Sequence, residues 1–74
     1  MKVNERLKNL REDIEPKMNQ TELGQVLGMT QRRVSFLETG TTEPNLDDIR
    51  AYCRYFDISA DYILGLTDDP KPLK

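Results

Sequence analysis

The chain has 74 residues, 32% of them charged, with no histidine, one cysteine and a formal net charge of -2. A chain of this length forms one small domain with little room for a deep catalytic cleft. The missing histidines and the lone Cys53 exclude an internal disulfide, a cysteine–histidine zinc site and the usual general base of a small hydrolase. We therefore expect a protein that is not an enzyme and that uses no metal or cofactor.

The first twenty residues carry charges throughout and contain no apolar run long enough for a signal peptide or a membrane span. A lone cysteine fits a reducing compartment. We therefore expect a cytoplasmic protein with no membrane partner.

Charge is distributed unevenly along the chain. Residues 1–42 hold seven Lys and Arg against six Asp and Glu, a net charge of +1. Residues 43–69 hold two against seven, a net charge of -5. A nucleic-acid-binding face needs positive potential only locally, so the net charge of the whole chain need not be positive. This distribution is therefore compatible with DNA binding, but it predicts weak non-specific affinity for DNA.

Apolar residues recur at helical spacing, and no stretch alternates with the period of a strand. Val3, Leu7, Leu10 and Ile14 form one stripe of an amphipathic first helix, which Pro16 ends. The pattern predicts an all-α fold of five short helices.

The second and third predicted helices are separated by a very short turn. Asn19 is a good N-cap, and Glu22 can reach back to it in a variant of the capping box. That helix ends at Gly28, and Thr30 caps the next helix, which ends at Gly40. Two helices joined this closely cross at a steep angle, which is the helix-turn-helix unit.

A helix-turn-helix also needs a small residue at the crossing and apolar residues that lock the two helices together. Gly24 is the small residue at the predicted crossing. The predicted lock consists of Leu23, Leu27, Val34 and Leu37.

The last two predicted helices begin at Asn45 and Ser59, which act as N-caps. The expected core stripe of the fourth helix consists of Leu46, Ile49, Cys53 and Phe56, so Cys53 is interpreted as a small core residue. Residues 67–74 contain two prolines and four charged residues, which indicates a flexible C-terminal tail after a domain spanning 1–66.

The motifs in this chain resemble those of the phage repressor and Cro family, also called Xre-type regulators. The likeness covers residues 4–66. Its segments are Arg6-Leu7-Lys8 through Arg11, Asn19-Gln20, Leu37-Glu38-Thr39-Gly40 and Ser59-Ala60-Asp61-Tyr62-Ile63-Leu64-Gly65-Leu66. The resemblance implies a compact, five-helix, lambda-repressor-like DNA-binding domain whose third helix, residues 31–39, enters the major groove of double-stranded DNA.

In the third helix, Val34 and Leu37 mark the side that faces the core. The residues opposite and beside them are the candidates for contact with DNA. Gln31 can pair bidentately with adenine and Arg32 with guanine, Ser35 is a tolerant hydrogen bonder, and Phe36 can cover a thymine methyl group. We therefore predict these four residues as base contacts. The alternative for Gln31 and Arg32 is a solvated helix face, and the alternative for Phe36 is packing against the second helix or the loop after Gly40.

Residues beside that face are predicted to contact phosphate, which positions a protein without specifying sequence. They are Lys17, Gln20, Arg33, Thr39, Thr41 and Thr42. The family resemblance implies that Gln20 also supports Gln31. It further implies an internal salt bridge between Arg11 and Glu38, with a structural role.

Together these features predict a bacterial or phage transcriptional regulator, with repression as the expected sign of regulation. Specificity against a genome favours a weak homodimer on a palindromic operator, formed through Tyr62, Ile63 and Leu66 of the C-terminal helix. The acidic second half leaves an alternative open: a protein-interaction module, such as an antitoxin-like partner, on the same fold.

Overall fold

The computed structural model describes residues 2–72, and within that range the chain forms five α-helices and no strand. The helices are α1 (Val3–Asp13), α2 (Gln20–Leu27), α3 (Gln31–Thr39), α4 (Leu46–Phe56) and α5 (Ala60–Ile63). Helix α3 packs against α1 and α2, while α4 contacts α2 and α5, and α5 also reaches α1. The predicted all-α fold is confirmed.

The ends of α2 and α3 lie where the sequence predicts them, whereas α1 ends at Asp13 and leaves Ile14, predicted on its apolar stripe, in extended backbone. The Asn19 side chain accepts from the Glu22 N–H while the Glu22 carboxylate accepts from the Asn19 N–H, so the capping box is complete. The α2 helix ends at Gly28 with a left-handed φ of 74°, and the Thr30 hydroxyl then caps α3. These caps fix the short turn of the helix-turn-helix, because each one ends or begins a helix at a defined residue.

Gly24 lies where the turn folds back onto α2. Its carbonyl accepts a hydrogen bond of 2.9 Å from the N–H of Met29. A Cβ on residue 24 would lie 2.6 Å from the Met29 carbonyl oxygen, which is closer than a methyl group can approach. The absence of a side chain therefore allows the turn to close at this distance.

The hydrophobic core lies between α3 and the helices around it. Six of its side chains are fully buried: Leu7, Leu23, Val34, Leu37, Tyr52 and Ile63. Cys53 packs against this core in a partly buried position, and burial raises the pKa of its thiol. The predicted lock between α2 and α3 is present, with Leu27 partly buried at its edge.

Two expectations about the apolar stripes are wrong. In α4, Leu46 is 69% exposed and Tyr52 takes the inward position. Tyr52 lies four residues after Asp48, so both face the same way, and Asp48 pairs with Arg33 on α3. In α5, Ile63 is fully buried, so it cannot supply the dimer surface predicted for it.

The segment after α5 runs back along the domain. The Ser59 N–H donates to the Pro70 carbonyl at 3.0 Å. The buried Arg6 side chain lies over the Tyr62 ring, 4.1 Å from its centroid, and donates to the Thr67 carbonyl and the Asp68 carboxylate. The flexibility predicted for residues 67–74 stays a prediction, and residues 73 and 74 lie outside the described range.

Candidate nucleic-acid interface

Helix α3 has a buried side and an exposed side. Val34 and Leu37 are fully buried, and Glu38 is 4% exposed. Gln31 and Arg32, at the start of the helix, are exposed. The remaining predicted contact residues of the helix are Arg33, Ser35 and Phe36, which are half-buried, and Thr39, which is exposed. The side that is free to meet a ligand therefore begins with an amide and a guanidinium group.

Gln31 is held in place by a relay of hydrogen bonds. Its Nε2 donates to Gln20 Oε1 at 2.7 Å, and Gln20 Nε2 donates to Glu38 Oε1 at 3.1 Å. Because Gln31 donates to Gln20, its own Oε1 stays directed away from that partner. Gln20 thus links the first residue of α3 to a buried carboxylate, which restricts the Gln31 rotamer.

Glu38 is itself fixed by Arg11 of α1. The guanidinium donates from Nε to Oε2 at 2.7 Å and from Nη2 to Oε1 at 2.9 Å, while Nη1 donates to the Met18 carbonyl at 3.0 Å. The hydrogen bond to Glu38 raises the pKa of Arg11 and outweighs the opposing effect of burial. This ion pair anchors the relay to the interior of the domain.

Arg32 and Phe36 interact with each other on the outer side of α3. The Arg32 guanidinium carbon lies 5.2 Å from the centroid of the Phe36 ring, a cation–π distance. The loop after Gly40 contacts the Phe36 backbone, since the Thr42 N–H donates to its carbonyl. The Phe36 ring is therefore partly covered by Arg32, one helical turn before it, and Arg32 itself remains exposed to solvent.

The other predicted phosphate contacts lie at the end of α3, in the loop after it, or at or before the start of α2. The hydroxyls of Thr39 and Thr41 lie 2.9 Å apart, and Thr42 is half-buried beside them. Gln20 stands at the first turn of α2, where backbone N–H groups favour an anion. Lys17, before that helix, is exposed. Lys17 and Gln20 precede α3 in the chain, Thr39 is its last residue, and Thr41 and Thr42 lie in the loop that follows it.

Arg33 differs from the other predicted phosphate contacts because it already has an anionic partner. Its Nε donates to Asp48 Oδ1 at 3.0 Å, and its Nη2 donates to Asp48 Oδ2. No sequence motif indicates this pairing, because Arg33 and Asp48 are 15 residues apart. The spacing of Asn45 and Asp48 indicates a capping box, but only the tertiary structure brings Asp48 to Arg33.

Within residues 2–72 no helix is long and apolar enough to cross a bilayer. The same range contains no group of three or more Asp, Glu or Cys side chains arranged to hold a metal ion.

Comparisons with known proteins agree with this geometry. A family model described as "Helix-turn-helix" matches residues 7–63. An uncharacterized HTH-type transcriptional regulator of Bacillus subtilis (strain 168), YobD, is 37% identical over 68 residues, which are 92% of this chain. The chain spans 59% of the length of that relative.

A solved structure with a similar fold is the P22 c2 repressor protein in complex with synthetic operator 9T. It superimposes with a TM-score of 0.77 at 28% sequence identity, covering 86% of this chain and 94% of that chain. The lambda-repressor-like fold is thus confirmed, and the match to the family model spans most of the chain. The chain belongs to the Xre-type helix-turn-helix family of transcriptional regulators.

Proposed function

We propose that this chain binds double-stranded DNA sequence-specifically, reading the major groove with α3, and that it acts as a repressor. The observation that carries the proposal is the exposed pair Gln31 and Arg32, with Gln31 fixed through Gln20 to the buried Glu38. A fixed amide and a guanidinium are the groups that recognise adenine and guanine edges. The similar P22 c2 repressor was solved with an operator, which supports the same use of the fold here.

The other contacts follow from position on this surface. Ser35 and Phe36 follow Arg32 on α3 and are proposed to contact bases. The proposed phosphate contacts are Lys17, Gln20, Thr39, Thr41 and Thr42. Arg33 is not among these proposed contacts, because its guanidinium is bound to Asp48. A regulator of this kind acts where bacterial or phage DNA is transcribed, so we also propose a cytoplasmic location.

Selection of bound sequences from a random duplex pool tests the proposal. An enriched site is expected, and Arg32→Ala is expected to bind it with about 1–3 kcal/mol less discrimination at one or two base pairs, because a bidentate contact is lost. The fold should be unchanged because Arg32 is exposed. Lys8→Ala, which removes an exposed positive charge from α1, is the control. An Arg32→Ala protein that binds the selected site as tightly and selectively as the parent would remove Arg32 from the interface.

We further propose that two copies bind a palindromic operator as a weak homodimer. Leu64 and Leu66, at and after the end of α5, are 46% and 74% exposed and offer apolar surface to a second copy. The acidic second half of the chain opposes association of free monomers. Sedimentation should therefore show mainly monomer at low micromolar concentration, with cooperative binding to the palindrome. A half-site bound as tightly as the full palindrome, with one protein per site, would exclude the dimer.

The second candidate function is a protein-interaction module, such as an antitoxin-like partner. The acidic residues of positions 43–69 and the exposed Val26 and Tyr55, which border a groove between α2 and α4, favour it. Salt dependence distinguishes the two functions, because phosphate contacts release counterions and give a steep decrease of affinity with salt. A flat salt dependence on DNA, with no enriched sequence, would favour the protein-binding alternative.

A further inference from the structure

The ion pair between Arg33 and Asp48 joins the DNA-facing helix to the start of α4. Two nitrogens of the guanidinium meet the two oxygens of the carboxylate, the geometry in which arginine also binds phosphate. The Asp48 side chain is 6% exposed and the Arg33 side chain 34% exposed. The guanidinium is therefore turned toward the protein, although its residue is adjacent to Arg32 at the start of the exposed side.

Asp48 is a fixed anion. Its Oδ2 accepts from the Asn45 N–H at 2.9 Å, and its own N–H donates to Asn45 Oδ1 at 2.8 Å. Burial acts to raise its pKa, but the hydrogen bonds from Arg33 and Asn45 and the Arg33 charge outweigh burial, so the pKa lies below the ordinary value. The first turn of a helix also favours a carboxylate. Asp48 is therefore ionised at neutral pH and held at the start of α4 by hydrogen bonds.

The pairing changes the charge that α3 presents. The charged residues of this helix, all of which the structure describes, are Arg32, Arg33 and Glu38. Glu38 pairs with Arg11 and Arg33 pairs with Asp48, which leaves Arg32 as the charged side chain of α3 without an ion-pair partner. One cation, at a position predicted to read bases, thus remains on the exposed side.

We propose that Asp48 withholds Arg33 from the DNA backbone and so lowers sequence-independent affinity. This inference rests on the proposed DNA binding. A phosphate that took the Nε and Nη2 edge of Arg33 would have to separate a bidentate pair whose carboxylate is buried and held by the Asn45 N–H. A phosphate at Nη1 would meet a guanidinium whose charge Asp48 already offsets. Arg33 is then a positioning residue that ties α3 to α4, and specificity depends more strongly on Gln31 and Arg32.

The test is the salt dependence of binding to a random duplex and to the selected site. Each phosphate contact contributes about 0.9 to the slope of log affinity against log salt. Asp48→Asn frees the guanidinium, so the slope should steepen by about 0.9 on both duplexes. The double variant Asp48→Asn with Arg33→Gln should restore the parental slope, and Arg33→Gln alone should leave it unchanged. Asp47→Asn changes net charge identically at an exposed neighbour and serves as the matched control.

Circular dichroism establishes which variants are folded at the temperature of the assay. An unchanged slope for folded Asp48→Asn, or one that Asp47→Asn reproduces, would overturn the proposal. A slope that Arg33→Gln reduces by about 0.9 would also overturn it, because Arg33 would then contact phosphate in the parent. If Asp48→Asn does not fold, the slope of Arg33→Gln alone decides whether Arg33 contacts phosphate in the parent. A parent with no salt-dependent DNA binding would instead refute the proposed function itself, which separates the two failures.

Discussion

Arg11 and Glu38 are 27 residues apart in the sequence, yet the guanidinium of one meets both carboxylate oxygens of the other, at 2.7 and 2.9 Å. Their side chains are 14% and 2% exposed. Glu38 also accepts from Gln20, which in turn accepts from Gln31. The ion pair that joins α1 to α3 is therefore linked by hydrogen bonds to Gln31, a predicted base contact.

Replacing this carboxylate should be costly. We expect Glu38→Ala to lower the free energy of unfolding by about 3–5 kcal/mol, because it leaves the largely buried Arg11 charge uncompensated. Urea denaturation measures this loss. Asp47→Ala is the control, since it removes a carboxylate whose ion pair with Arg50 is exposed and should change stability by about 0–1 kcal/mol. Equal effects of the two substitutions would contradict a structural role for the Arg11–Glu38 pair.

The stability lost when a leucine is replaced by alanine should increase with the burial of that leucine. Leu37→Ala removes a fully buried side chain and should cost about 2–5 kcal/mol. Leu27→Ala, at a partly buried position, should cost less. Leu46→Ala, 69% exposed, should stay within about 0.5 kcal/mol of the parent. Thermal melts that rank Leu46→Ala with Leu37→Ala would contradict the packing described.

Gly24→Ala sets two effects against each other. Alanine improves helix propensity by about 1 kcal/mol relative to glycine. Its methyl group would lie 2.6 Å from the Met29 carbonyl oxygen, a backbone atom that moves only with the turn. We expect the steric effect to be larger and the variant to unfold at a lower temperature than the parent, because overpacking costs about 1–3 kcal/mol. A raised melting temperature would show that the turn adjusts freely.

The Asp48 carboxylate should make the free energy of unfolding depend on pH in the acid range. The pKa of Asp48 in the folded chain lies below the value of about 3.9 for an unfolded aspartate. The stabilisation that the ionised carboxylate gives to the folded state is therefore fully present above that pH. The contribution is lost as the pH falls through the lower, folded-state pKa. The difference in unfolding free energy between the parent and Asp48→Asn should therefore be constant from about pH 7 to pH 5 and shrink below about pH 4.

Urea titrations at several pH values give this difference. Asp47→Asn, at a side chain that is 89% exposed, should differ little from the parent over the whole range. A difference between the parent and Asp48→Asn that persists undiminished at the lowest pH would mean that the Asp48 charge does not stabilise the fold.

The sequence by itself determined the five helices and the ends of α2 and α3, although α1 ends at Asp13, before the predicted Ile14. Asn19, Gly28, Thr30 and Gly40 act through their own backbone neighbours, so the capping and turn signals can be interpreted from local chemistry alone. The helical period likewise determined which side of α3 is buried, because Val34 and Leu37 mark it within one helix.

Tertiary structure decided the pairings between helices. Helical periodicity predicted Leu46, Ile49, Cys53 and Phe56 as the core stripe of α4, but in the packed domain Asp48 and Tyr52 are buried and Leu46 is exposed. The position of α4 in the packed domain also brings the Asp48 carboxylate to Arg33. The short α5 helix has too few residues for a periodic pattern, so only its packing showed that Ile63 belongs to the core. Partners distant in sequence leave no local signal, because the energy that selects them exists only after the helices have packed together.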